Sequence, residues 1–87
     1  MPGARYFLAD VVLSALFALR AEDCRHLFAA FDQIADNPRG MAISVGQDWD
    51  GRLVCLTRYG RFEIGYVIAP DAEIITITLL RPRPKAS

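Results

Sequence analysis

Apolar positions along this chain change their spacing once, and the change divides the sequence into a helical half and a strand half. From Asp10 to Leu19, the residues Val12, Leu13, Leu16 and Phe17 recur at helical spacing and share one face. Asp10 suits the N-cap of that helix, where a short carboxylate accepts from the free N–H groups of the first turn. Arg20 and Ala21 form a short joint. Glu22 and Asp23 then open a second helix, where the helix dipole favours negative charge. Cys24, Leu27, Phe28, Phe31, Ile34 and Ala35 continue it as one stripe. Asn37-Pro38 ends it, because asparagine tolerates the left-handed conformation and the residue before proline is pushed out of the helical region.

Beyond Gly40 the period falls to two. Arg5 to Leu8, aromatic and apolar, reads as a short first strand, and Met41 to Val45 as a short strand or extended arm. Asp48-Trp49-Asp50-Gly51 is a turn, with Asp-Gly its strongest signal. Leu53 to Tyr59 and Phe62 to Ile68 are two strands joined tightly at Tyr59-Gly60-Arg61. Ala69-Pro70-Asp71-Ala72 turns the chain again, and Glu73 to Leu80 is the last strand. There Ile75, Ile77 and Leu79 are expected to face the helices, with Thr76 and Thr78 on the other side beside Ile74 and Leu80. Arg81-Pro82-Arg83-Pro84-Lys85 is not expected to extend a central strand, since two prolines remove ladder donors. Helices followed by a meander predict an α+β domain with its helices on one face of the sheet.

Composition narrows the chemistry. At 87 residues, 53% apolar and 23% charged, the chain has room for one domain and one core. Ten basic and ten acidic residues cancel, so any attraction to nucleic acid or an anionic membrane has to come from a local patch. Cys24 and Cys55 lack metal-site spacing and read as reduced apolar thiols, which points to the cytoplasm. The stretch after Arg5 faintly resembles a signal-peptide core. Asp10 interrupts it and its apolar residues keep helical spacing, so a helix is the reading adopted. His26, the single histidine, has no nucleophile placed near it and reads as an ordinary helix residue. No phosphate loop, calcium loop or metal motif is present, and neither cofactor nor metal is expected.

Leu56-Thr57-Arg58-Tyr59-Gly60-Arg61-Phe62-Glu63-Ile64-Gly65-Tyr66 resembles the Leu-Arg-x-Gly-x-Tyr-Arg-x-x-Tyr hairpin of the RelE/ParE superfamily of toxins from type II toxin–antitoxin pairs. Arg58, Gly60, Phe62 and Tyr66 stand at matching or similar positions. The order of elements resembles that superfamily too, as does a last strand leaving at Arg81. The resemblance implies one RelE/ParE-like domain over residues 1–87, with a short N-terminal strand and two helices packed on a C-terminal antiparallel meander. It also implies a cytoplasmic growth-arresting toxin, of the kind tied to plasmid stabilisation, that binds a cognate antitoxin. Its target would be DNA gyrase in the ParE manner, or mRNA on the ribosome in the RelE manner.

The chain departs from the nuclease pattern in three ways. Glu63 stands where the hairpin carries an arginine, replacing a cation that holds phosphate with an anion that repels it. No Tyr or His follows Arg81 to act as a late acid or base. Net charge is zero. A ParE-like protein-binding toxin is therefore the leading expectation, with Trp49, Arg52, Arg58, Arg61 and Tyr66 as candidate partner contacts. A RelE-like endoribonuclease is the alternative, using Arg58, Arg81 and Arg83 against RNA, and a non-toxic interaction module is the third. Period two sets Arg52, Val54, Leu56 and Arg58 on one face. With Arg61, Arg81, Arg83 and Lys85 they are expected to make a basic edge. Trp49 either caps the core or anchors a partner. The expected assemblies are a homo-oligomer or a toxin–antitoxin hetero-oligomer, with no membrane contact.

Overall fold

The helical stripe and the alternating strands meet in one buried cluster, which sets the architecture. The computed structural model describes residues 6–70 and 74–83. The elements are β1 (Tyr6–Leu8), α1 (Asp10–Phe17), α2 (Ala21–Asp36), a short α3 (Pro38–Met41), β2 (Ser44–Gln47), β3 (Leu53–Tyr59), β4 (Phe62–Ile68) and β5 (Ile75–Pro82). The sheet has five strands in the order β1-β5-β4-β3-β2. The strands from β2 to β5 form the antiparallel meander. The first strand lies parallel to the last, with Tyr6 opposite Ile75.

The core joins Val12 and Leu16 of α1 and Leu27, Ala30, Phe31 and Ile34 of α2 to one face of the sheet. That face is built from Cys55, alternate residues of β4 (Phe62, Ile64, Tyr66, Ile68), and Ile75, Ile77 and Leu80 of β5. Phe31 is central, with Tyr6 and Phe28 each edge-on at 5.7 Å between ring centroids. All six residues expected along the α2 stripe are not equally buried, for Phe28 lies on its open flank.

Several expectations are corrected. Ala9 rather than Asp10 is the N-cap of α1, and Asp10 sits in its first turn. Only Val12 and Leu16 of the α1 stripe are buried. Leu13 and Phe17 lie one row round the helix, and Phe17 is 88% exposed. Asn37 has a negative φ of −149° and so is not left-handed, and its side chain caps α3 by accepting from the Gly40 N–H. The proline that stops α2 thus starts α3, since its fixed φ and missing N–H suit a first helical position. Met41 consequently ends a helix and does not begin a strand.

In β5 the pairing slips. Gly65 faces Leu79 but Tyr66 faces Ile77, so Thr78 is an extra residue and the alternation reverses there. Leu80 therefore enters the core in place of the expected Leu79. Pro82 does belong to the strand, opposite Phe62. The Arg83 N–H donates to the Arg61 carbonyl at 2.8 Å, so the bonded pair is the next one along. The nitrogen of Pro82 consequently points away from β4, on a side that β1 does not reach. The turn at Ala69-Pro70 is closed by the Ala69 N–H on the Ile74 carbonyl. Asp71 and Ala72 lie outside the described residues.

Candidate functional site

Alternation that buries Phe62, Ile64, Tyr66 and Ile68 sends Glu63, Gly65 and Val67 to the opposite side of the sheet. Cross-strand pairing extends this side through Val54, Leu56 and Arg58 of β3 and Thr76, Leu79 and Arg81 of β5. Phe7 of β1, opposite Thr76, joins its rim and is 63% exposed. The helices pack on the other face, so this side is open. At its middle, Val54, Leu56, Leu79 and Thr78 surround Gly65, with Ser44 and Gly46 beyond them, in a shallow depression of about 340 Å³. Gly65 is required there, for a Cβ would meet the Leu79 Cβ at 2.9 Å. The floor is apolar.

Charge sits at both ends of the depression. At the hairpin end, the left-handed Gly60 (φ 58°) permits a two-residue turn that brings Arg58 opposite Glu63, and Glu63 is in turn opposite Arg81. Arg81 holds one Glu63 oxygen with its Nη2 at 2.7 Å and its Nε at 2.8 Å. Arg58 approaches the other oxygen at 3.5 Å. The two guanidinium groups cover the carboxylate, which is 3% exposed although it belongs to the open face. The hydrogen bond from Arg81 holds the Glu63 carboxyl below its usual range against the opposing pull of desolvation, and the charges of both arginines reinforce it.

At the other end, Asp48 organises the β2–β3 turn. Its carboxylate accepts from the Asp50 and Arg52 N–H groups at 2.9 and 3.0 Å and from Arg52 Nε at 3.0 Å. Desolvation acts to raise this carboxyl, but the backbone and guanidinium donors outweigh it and keep the Asp48 pKa low. Arg52 also lies 3.7 Å from Asp50. Gly51 completes the turn at φ 87°.

A chain of the archaeal RelE–RelB complex from Pyrococcus horikoshii superposes on this protein with a TM-score of 0.76. The match covers 95% of this chain and 100% of that one, at 19% sequence identity. The fold is RelE-like. Comparison with protein families and with curated proteins finds no match. The RelE-like sheet places its helices on one side and the Arg58–Glu63–Arg81 row on the other.

The candidate residues distribute unevenly over this RelE-like frame. Arg58 and Arg81 come together on the open face, and Arg83 lies beside them, its Nη1 on the Gly60 carbonyl at 3.2 Å. Arg52 belongs to the same face, six residues from Arg58 along the strand, or about 20 Å at the usual rise. Arg61 bends to the helix side, where it pairs with Asp23 of α2 and stacks over the Phe62 ring at 5.3 Å. Lys85 is outside the described residues. The expected basic edge is thus divided: one arginine at the far turn, two on Glu63, one on the Gly60 carbonyl and one on α2.

Trp49 is 93% exposed at the tip of the β2–β3 turn, which removes the expectation that it caps the core. Tyr66 is 0% exposed, and its hydroxyl donates to the Pro38 carbonyl. Burial pushes that hydroxyl up to about 12, and the structure gives it to the core and not to the surface offered to a partner. His26 lines a small cleft between α2 and the β3–β4 turn, with Tyr59 and Arg61. Cys55 is buried, and burial raises its thiol. Among the described residues, no three His, Cys, Asp or Glu side chains gather as metal ligands, and no helix is long and apolar enough to cross a membrane.

Proposed function

We propose that this protein is the toxin of a type II toxin–antitoxin pair, a single RelE/ParE-like domain that acts in the cytoplasm by gripping a host protein. The observation that carries the toxin reading is the RelE-like fold over 95% of the chain, matched to a chain crystallised as a RelE–RelB complex. By the same reading the partner that silences it is a cognate antitoxin. The open face suits protein contact: an apolar floor at Val54, Leu56 and Leu79 buries apolar side chains at about 25 cal/mol per Å². Arg52 at one end and the Arg58–Glu63–Arg81 row at the other supply orientation. Trp49, exposed beside Arg52, adds a large aromatic anchor of the kind that dominates interfaces.

ParE-like action on a protein such as DNA gyrase is favoured over RelE-like mRNA cleavage because Glu63 already engages the two arginines that would hold RNA. The alternative retains one supporting feature, three guanidinium groups (Arg58, Arg81 and Arg83) gathered at the hairpin end. Inducible expression in a bacterial host, alone and beside a candidate antitoxin gene, tests the toxin reading. Growth arrest relieved by the antitoxin is expected. Accumulation of folded protein without arrest leaves the non-toxic interaction module. With purified protein, inhibited supercoiling by gyrase and intact mRNA on translating ribosomes support the ParE-like mode. Arginine-dependent mRNA cleavage reverses the assignment.

A further inference from the structure

A carboxylate 3% exposed on the face of the sheet away from the helices needs an explanation. Arg58 and Arg81, one from each neighbouring strand, both engage Glu63. Arg81 presents the edge formed by Nε and Nη2, with both donors within 2.8 Å of a single oxygen. That edge is the one with which guanidinium groups take phosphate and carboxylate oxygens. Arg58 closes the opposite side at 3.5 Å. The two arginines are themselves about half exposed. They therefore form a two-armed anion seat open to solvent, and Glu63 is the anion sitting in it.

We infer that Glu63 is a specificity-determining residue: an internal counter-anion that occupies the Arg58/Arg81 seat and keeps phosphodiester chains off the open face. The seat accepts an oxyanion of the phosphodiester class once the carboxylate is removed. Three side chains in a row, two cationic and one anionic, leave a net charge of only +1, and the anion holds the donors that a phosphate would need. Loss of Glu63 both raises the local charge and frees those donors. The inference is independent of the toxin reading, because it concerns what the purified face binds.

The experiment measures binding of a labelled single-stranded oligonucleotide by fluorescence anisotropy over a range of salt concentrations. Glu63→Gln is expected to bind at least tenfold more tightly than the natural protein at 50 mM salt, on the order of the gain from one or two new phosphate contacts. Its plot of log affinity against log salt should steepen by about 1.4, the value for two contacts on a single strand. Arg58→Gln and Arg81→Gln placed together in the Glu63→Gln background should abolish the gain. Glu22→Gln, which makes the same change in net charge at the exposed start of α2, should produce none. An equal gain from Glu22→Gln, or none from Glu63→Gln, overturns the inference. So does natural protein that already binds as tightly as the variant. The half-exposed arginines return to water when Glu63 is replaced, so the variant is expected to fold, with circular dichroism as the check. Glu63→Ala provides a second reading: inorganic phosphate should raise its thermal midpoint more than that of the natural protein. Equal shifts overturn the inference as well.

Discussion

The hydroxyl of Tyr66, at the middle of β4, donates a hydrogen bond to the main-chain carbonyl of Pro38 at the start of α3. Thr57 of β3 does the same at the other end, donating to the Met41 carbonyl at 2.6 Å. Two hydroxyls on the core face of the sheet thus hold both ends of the short helix between α2 and β2. Tyr66→Phe leaves the Pro38 carbonyl without this donor and should cost about 1–2 kcal/mol at neutral pH. Burial, with a smaller contribution from Cys55, pushes the Tyr66 hydroxyl from 10.0 to about 12, so the unfolded chain ionises first. The stability it contributes is whole below about pH 10 and lost as pH rises through about 12. Urea unfolding between pH 7 and 12 should show a steep alkaline decline that Tyr66→Phe flattens. An unchanged decline in the variant contradicts the assignment.

Glu63 acts at the opposite end of the pH scale. Arg81 and Arg58 hold its carboxyl below the unfolded value of 4.5, so its contribution is present above that value. It is lost as pH falls through the lower value of the folded protein. The midpoint of urea unfolding should therefore differ between the natural protein and Glu63→Gln at pH 7, and the two should converge as pH drops below 4.5. A difference that persists undiminished into acid would mean that Glu63 is not ionised in its seat.

Local signals carried much of this fold. Leu27, Phe31 and Ile34 lie where helical spacing put them, and the alternation of Phe62, Ile64, Tyr66 and Ile68 already marked Tyr66 as a core residue. The hairpin motif alone places Tyr66 among the surface contacts, but a motif does not fix which face of the sheet a residue takes. Other features depend on distant partners. Three residues of β1 acquire their role only beside Ile75, Thr76 and Ile77, almost seventy positions away. The extra residue at Thr78 exchanges Leu79 for Leu80, and no composition rule marks a bulge. Asn37-Pro38 marks a stop and a start with the same two residues, so α3 was hidden behind the end of α2. The candidate site was half legible. Period two set Arg52 and Arg58 on one face, but the Glu63 clamp depends on the register of two strand pairs at once.

Gly65 lies opposite Leu79 at the edge of the register shift between β4 and β5, and adding one methyl should test the bulge. A Cβ at this position lies 2.9 Å from the Leu79 Cβ, an atom too near the backbone to swing aside. Gly65→Ala should therefore destabilise by about 1–3 kcal/mol, the usual range for overpacking. Leu79→Gly removes the opposing atom, so the double variant should lose less stability than the two single changes added together. Simple additivity in urea unfolding would show that the strands separate without resistance there.

Trp49 is the single tryptophan of the chain, and it stands 93% exposed at the tip of a turn whose hydrogen bonds run through Asp48 instead. Its ring is not needed by the fold, so Trp49→Ala should shift stability by no more than about 0.5 kcal/mol. Its fluorescence should already resemble that of indole in water, and urea should move the emission maximum very little while circular dichroism reports full unfolding. The same exposure makes it a sensor of docking. A partner that takes the Arg52 end of the open face has to cover this ring, and the emission should then move to the blue as water is excluded. Titrating the candidate antitoxin into the protein reads this directly. Tight binding with no spectral change would place the partner away from this turn, and Trp49 would no longer count among its contacts.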